Sequence, residues 1–370
     1  MPGPLHGILV ADFSRVLAGP LATMTLGDLG ADVVKVERPG TGDETRTWAP
    51  PYAPDGTSTY YLAVNRNKRS VSVDLSTSDG RAAARSLALR ADVLVENFAS
   101  GTMERFGLGY DDLVADNPRL VYASVTGFGR GSTLPGYDFL IQAVGGLMSV
   151  TGEPDGAATK VGVALVDVLA GQNLTGGVLA ALYARERTGR GQRVDVNLLS
   201  SLLAALVNQA SAHLNAGVVP ARLGNRHPSI APYETLRTAD APIAVAVGND
   251  GQFARLCDAL AVAALASDSR FKDNPSRVRH RGALVEALEA VLRTRPASHW
   301  VDLLTAAGVP CGPVNDIAEA FALAERLGLE PVVRQPGWPA GVASPLRLSD
   351  TPVSYRLPPP AEPGPPVTPR

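Results

Sequence analysis

The sequence predicts an α/β protein with a large domain on an open, parallel, Rossmann-like sheet and a smaller α/β domain after it. Three observations carry this expectation. Short apolar runs alternate with helical patterns through the first half of the chain, the signature of β-α-β units. Hydrophobic residues are 45% of the chain but aromatics only 5%, so the apolar content is mostly Ala, Val and Leu, as suits helices packed on a sheet buried on both faces. The chain is 370 residues long, more than one hydrophobic core usually fills, which favours two domains.

Taken in order, Ile8–Asp12 reads as a short buried strand, and a helical pattern opens at Gly19-Pro20 and closes at Leu29-Gly30, where Gly suits the C-cap. Asp32–Glu37 is the second strand, which completes a right-handed β-α-β unit. Ser70–Asp74 is a third, followed by an Ala-rich helix signalled by Ser76, Thr77, Ser78 and Asp79. Val93–Glu96 and Leu120–Val125 supply two more strands. Leu198 to about Gly217 is helical, and the Pro, Gly and charge clustering of Val218–Pro228 marks a linker. Beyond it Tyr233–Leu236 and Ile243–Val247 read as strands followed by helices, and Ile317–Leu327 as a helix. The expected domains are 1–200, a linker at 201–225, a small domain at 226–314 and a return segment at 315–370. The end, from Leu357, is extended and too rich in proline to pack as helix or sheet.

Composition excludes several classes of function. The 34 basic and 36 acidic residues leave a formal charge of -2, which argues against nucleic acid or a membrane surface as a bulk partner. Met1 is not followed by a basic and then an apolar region, and no unbroken apolar run of spanning length is read, so a cytoplasmic location is expected. Cys257 and Cys311 form no CxxC and read as small buried hydrophobes. The five histidines show no metal-ligand spacing, and no metal site is expected. A nicotinamide reading, for which Glu37 would be the ribose-binding acid, fails because the turn Asp12–Pro20 lacks GxGxxG.

The chemistry centres on Lys160–Gln172, where an apolar run ends in a single carboxylate, Asp167, and a helical pattern runs from about Leu169 to Glu186. Such a carboxylate faces unpaired N–H groups and the positive end of the helix dipole, which would keep it ionised and leave donors for a second oxygen. An ordinary N-cap would look the same.

The surrounding motifs decide between these readings. Phe13–Pro20, Leu29–Asp43, Asn65–Ser70, Asp92–Phe98, Gly136–Phe139 and Thr188–Asp195 resemble, in order, the signatures of the class III CoA-transferases, the CaiB/BaiF-like family of formyl-CoA and carnitine CoA-transferases. The resemblance covers nearly the whole chain. It implies that Asp167 is the nucleophile, passing through an aspartyl anhydride and an aspartyl-CoA thioester, and that water is kept away from those intermediates. It further implies that Leu17, Ala18, Arg38, Val73, Asn97, Phe98 and Arg105 contact CoA, with Tyr137 and Asp138 as further site residues. Arg38 and Arg105 have the chemistry to hold phosphates. CoA and acyl-CoA would be substrates, with no cofactor, and the partner would be a second copy of the chain in an interlocked homodimer.

Two departures narrow the expectation. Pro135 stands where some formyl-CoA transferases carry a basic residue, so that loop lacks a phosphate contact. Their glycine-rich active-site loop has no counterpart in the second half, which argues against formyl-CoA and oxalate as the substrate pair. Arg222–Tyr233 and Gly248–Phe253 resemble family members that use dicarboxylyl-CoA donors such as succinyl-CoA. In that stretch His227 reads as a linker histidine held by local hydrogen bonds. The α-methylacyl-CoA racemases share the fold and the Asp, but use His where this chain has Tyr137, a poor base at neutral pH. An acyl-CoA isomerase is therefore the second expectation and a non-catalytic CoA-binding protein the third.

Overall fold

The computed structural model describes residues 2–366. Two compact units emerge, one of Met1–Leu147, Lys160–Val218 and Leu329–Arg370, the other of Met148–Thr159 and Val219–Gly328.

The first unit is built on six parallel strands, β1 (Leu9–Asp12), β2 (Asp32–Glu37), β3 (Lys68–Ser72), β4 (Val93–Glu96), β5 (Val121–Thr126) and β6 (Arg193–Asn197), in the order β3-β2-β1-β4-β5-β6. Neighbours alternate between two cores. Val10, Val33, Val95, Val121 and Ala123 enter one core, and Ala11, Val34, Val36, Leu94 and Tyr122 the other. A strand buried on both faces has no polar side to show, so β1 and β4 are apolar up to a terminal acid. Helices α1 (Ala18–Asp28), α4 (Leu165–Thr188) and α5 (Leu198–Ala205) cover the first face, and α2 (Ser78–Arg90), through Ala84, Leu87 and Ala88, covers the second.

Between them α3 (Asp138–Val144) precedes α4, and α6 (Val207–Ala216) follows α5. Helix α4 has 24 residues, and an 18-residue stretch of it, with a mean hydropathy of 1.4, is long and apolar enough to cross a membrane by length and composition, contrary to the reading that no segment qualifies. Val166, Ala170, Leu174, Val178 and Ala181 on it are buried in the first core, which accounts for its composition.

Other expectations shift. Strand β3 begins two residues earlier than Ser70, because the buried Lys68 belongs to the strand. Strand β6 was not anticipated: as an edge strand it carries Arg193 and Asp195, and charge there blunts an exposed edge while hiding the strand from an apolar search. Residues 201–216 are largely helical. The proline-rich end does engage the sheet. Leu357 accepts from the Asn67 N–H, Pro365 from the Ser72 N–H, and Ser72 and Pro366 form an isolated parallel bridge on the open edge of β3. Proline suits such an edge, since it carries no N–H to leave unpaired. Residues 367–370 lie outside the described residues.

The second unit has an antiparallel sheet of β7 (Tyr233–Arg237), β8 (Pro242–Ala246) and β9 (Cys311–Pro313). It packs with α7 (Asp250–Ala259), α8 (Arg281–Leu292) and α9 (Ala297–Ala306) around Leu236, Ile243, Phe253, Leu256, Leu284 and Trp300. Cys257 is buried in that core, as expected, and Cys311 is half-buried against it.

Candidate active site

Order reverses in the sheet between β1 and β4, and ligands of such sheets bind where the strands end at that switch. Two cavities lie there. The smaller, about 430 Å³, is lined by Leu17, Ala18, Asn97, Phe98, Tyr137 and Asp167 among others. The larger, about 790 Å³, includes Arg38, Val73 and Phe98. Both volumes are in the range of small-molecule sites. Eight of the sequence-predicted residues thus gather at one end of the sheet, with Phe98 on both walls. Arg105 lines neither cavity; it is exposed and donates to Thr102 Oγ1 at 3.0 Å.

Asp167 owes its place to how α4 is mounted. The helix starts at Leu165, before Asp167, so the carboxylate lies in the first turn and is not the cap. Its own N-cap, Ala164, offers no side-chain acceptor. Asp138, in the first turn of α3, does that work: its Oδ1 accepts from Val166 N–H at 2.8 Å and from Asp167 N–H at 3.3 Å. Gln142 holds Asp138 in turn, donating to Oδ2 at 2.7 Å, while its own carbonyl oxygen accepts from Val161 N–H at 2.9 Å.

This overturns part of the electrostatic expectation. The helix-start N–H groups that were to stabilise Asp167 and receive a second oxygen are engaged by Asp138. Burial, and then the nearby Asp138 charge, push the Asp167 pKa up to about 7. Burial and the Asp167 and Asp138 charges also raise the Tyr60 phenol to about 12.

The wall opposite is equally constrained. Gly127 and Gly136 touch at the neck of the loop bearing Pro135 and Tyr137, where a Cβ on Gly127 would come within 2.4 Å of the Gly136 Cα. Asn97 clamps the turn after β1 from both sides, accepting from Arg15 N–H at 2.8 Å and donating to Arg15 O at 2.7 Å. Beneath that turn Lys68 meets Asp12 at 3.1 Å and Lys35 meets Asp43 at 2.8 Å, all four side chains fully buried. Lys35 also donates to Ser14 O at 3.0 Å, and Asp12 accepts from Ser14 N–H at 3.0 Å. Low local dielectric makes such a satisfied network rigid.

Residue reading missed this part of the site. Asn65–Ser70 and Leu29–Asp43 read as motifs, but many of their charged members are internal supports: Lys68 and Lys35 stand beneath the turn after β1, and Arg66 holds Asp28 at the end of α1 through two hydrogen bonds. Glu37, once weighed as a ribose acid, is tied to Arg46 at 2.9 Å and to the Asp43 N–H. Lysines and acids of paired sign along a chain were the available signal, but which pairs meet depends on the sheet order. Arg15 and Glu44, on the walls of both cavities, were also missed. His227 keeps to local bonds as expected: Nδ1 accepts from Ser229 N–H at 3.0 Å, and its ring lies 5.2 Å from that of Tyr233.

The chain is similar to known proteins along nearly its whole length. The model of "CoA-transferase family III" matches residues 5–363. A succinate–glutarate CoA-transferase of Agrobacterium fabrum is 43% identical over 372 residues, covering 96% of this chain and 92% of its own. An acetyl-CoA:oxalate CoA-transferase of Acetobacter aceti is 43% identical over 339 residues, covering 90% and 87%. The crystal structure of a CaiB/BaiF family protein from Brucella suis superposes with a TM-score of 0.87 at 42% identity, covering 97% of this chain and 96% of that one. These relatives do not favour the isomerase alternative. With its fold, its motifs and nearly its whole length accounted for in this way, the chain belongs to the class III CoA-transferases.

Proposed function

We propose that the protein moves CoA from a dicarboxylyl-CoA, succinyl-CoA being the first to try, to a free carboxylic acid, through covalent intermediates on Asp167. The observation that carries the reading is the convergence of Asp167, Leu17, Ala18, Asn97, Phe98 and Tyr137 on one cavity that shares Phe98 with a second cavity bearing Arg38. An acyl-CoA would lay its nucleotide end by Arg38 and Val73 and bring its thioester past Phe98 to Asp167.

The steps balance without a proton or an oxidant. An Asp167 oxygen attacks the thioester carbonyl, the C–S bond breaks, and an aspartyl anhydride and CoA thiolate result. The thiolate attacks the aspartyl carbonyl, releasing the donor acid and leaving an aspartyl-CoA thioester. The acceptor carboxylate attacks that thioester, freeing the thiolate and forming a second anhydride. Attack of the thiolate on the acceptor carbonyl gives the new acyl-CoA and returns Asp167 as a carboxylate. A carboxylate with a raised pKa is more basic than usual, and so a better nucleophile once ionised.

Relatives named for succinate with glutarate and for acetyl-CoA with oxalate are equally identical to this chain. Overall identity therefore does not choose the acid, and the expectation against formyl-CoA with oxalate rests on the missing glycine-rich loop alone. A second copy in an interlocked homodimer is part of the same reading, supported by Leu203, Val207 and Leu214, apolar side chains that α5 and α6 leave exposed.

The test is a hydroxylamine trap. With succinyl-CoA present, the Asp167 peptide should gain the mass of a hydroxamate. Asp167→Ala should stay folded, form no adduct and lose transfer by more than about 10⁴-fold, the scale of deleting a nucleophile. Turnover persisting in that variant would rule the mechanism out.

A further inference from the structure

Arg15, Glu44 and Phe98 are shared by the walls of both cavities. The Arg15 guanidinium stacks 4.9 Å over the Phe98 ring and meets Glu44 Oε1 at 2.6 Å, so the ion pair stands where one cavity gives way to the other. Among the described residues Arg15 is the one cation on the wall of the smaller cavity, and its Nε is buried with no hydrogen-bond partner.

The mounts are stiff, while the paired side chains reach solvent. Asn97 clamps the Arg15 backbone, and the next residue, Val16, is held at a φ of 69°, a left-handed conformation that a β-branched residue rarely adopts. Glu44 follows Asp43, which Lys35 pins. The two side chains, by contrast, are 35% and 48% exposed. Exposed pairs of this kind hold weakly, so a bound ligand that offers the guanidinium an acceptor of its own opens them at small cost.

We infer that Arg15 and Glu44 are acyl-CoA-binding residues that form a clasp across the substrate path, parted when the pantetheine arm is seated, with Arg15 then donating to an amide carbonyl of that arm. The inference rests on the reading above, that an acyl-CoA spans the two cavities. Amide carbonyls are the acceptors that a CoA arm presents between its phosphates and its sulfur, and an arginine with an unused donor is the matching group.

The experiment uses CoA itself, so no chemistry intervenes. Trp48, on the wall of the larger cavity, serves as a fluorescent reporter in stopped flow, with calorimetry for affinity. Glu44→Gln should raise the association rate about two- to five-fold, the strength of an exposed ion pair, and the gain should shrink with salt. In an Arg15→Gln background the same change should do nothing, whereas simple removal of a charge that repels CoA would act equally in both backgrounds. Arg15→Gln should also release CoA several-fold faster than wild type, with Arg15→Lys in between. Equal effects of Glu44→Gln in both backgrounds, or unaltered rates throughout, would overturn the clasp while leaving the transferase reading intact. Failure of the wild-type protein to bind CoA in calorimetry would bring down both.

Discussion

Asp138 both positions Asp167 and sets a condition on its ionisation. Asp138 caps the helix that presents Asp167 and, by its charge, adds to the burial that lifts the Asp167 pKa to about 7. A carboxylate nucleophile works only when ionised, so in the proposed reaction kcat/KM should rise with pH through about 7 and level off above it. Asp138→Asn keeps an oxygen to accept from Val166 N–H but removes the charge. The acid limb of the pH–rate profile should then move to lower pH, by an amount smaller than the whole shift because burial is the larger cause. An acid limb that stays in place would mean that another group titrates. Asp167 itself was legible from the chain, since a lone acid after an apolar run is visible at once. Its neighbour's control over it was not, because 29 residues separate the two and only the meeting of α3 with α4 brings the capping oxygen to the helix start.

At the scale of elements, close packing of α4 on α1 sets the depth of Asp167. A Cβ on Gly171, one turn beyond Asp167, would lie 2.7 Å from the Ala18 carbonyl oxygen, and backbone cannot yield as a flexible side chain does. Gly171→Ala should therefore cost about 1–3 kcal/mol of stability, as overpacking does, measured by urea denaturation, and should lower kcat as the helix moves off Leu17 and Ala18. Wild-type stability and rate in this variant would show that the two helices are free to part. Strands β2 and β4 were legible to the residue, because burial on both faces fills them mostly with Val and Leu, Lys35 of β2 being the ion-paired exception. Strand β6 was not, because an edge strand keeps its charges, and α4 was placed too late because its cap is supplied from elsewhere in the chain.

Across the whole molecule, the last described residues run back to the first unit's sheet. Arg46 donates to Pro360 O at 3.1 Å and Ala361 O at 3.0 Å, and Gly364 N–H donates to Ser70 Oγ at 2.9 Å. The same Arg46 holds Glu37 on the wall of the larger cavity. Deleting residues 358–370 should lower stability by roughly 1–3 kcal/mol, since a few hydrogen bonds of about 1 kcal/mol each are offset by the freed chain's entropy. It should also weaken CoA binding through the loosened Arg46. Unchanged denaturation and CoA affinity would make the tail a passenger.

Much of this protein is written locally. Short apolar runs, helix-start and helix-stop residues, and a row of motifs in a fixed order are properties of neighbours along the chain, and they suffice for the α/β class, five of the six strands, the family and the acid at its centre. What neighbours cannot encode is which distant charges become partners. Lys68 with Asp12, Arg15 with Glu44 and Asp138 with the start of α4 each join segments that meet only through the sheet order or the packing of helices. Those pairings were settled by folding, and for Lys68 and Asp12 the reason is burial, because a charge shut away from water must find its counter-charge in three dimensions.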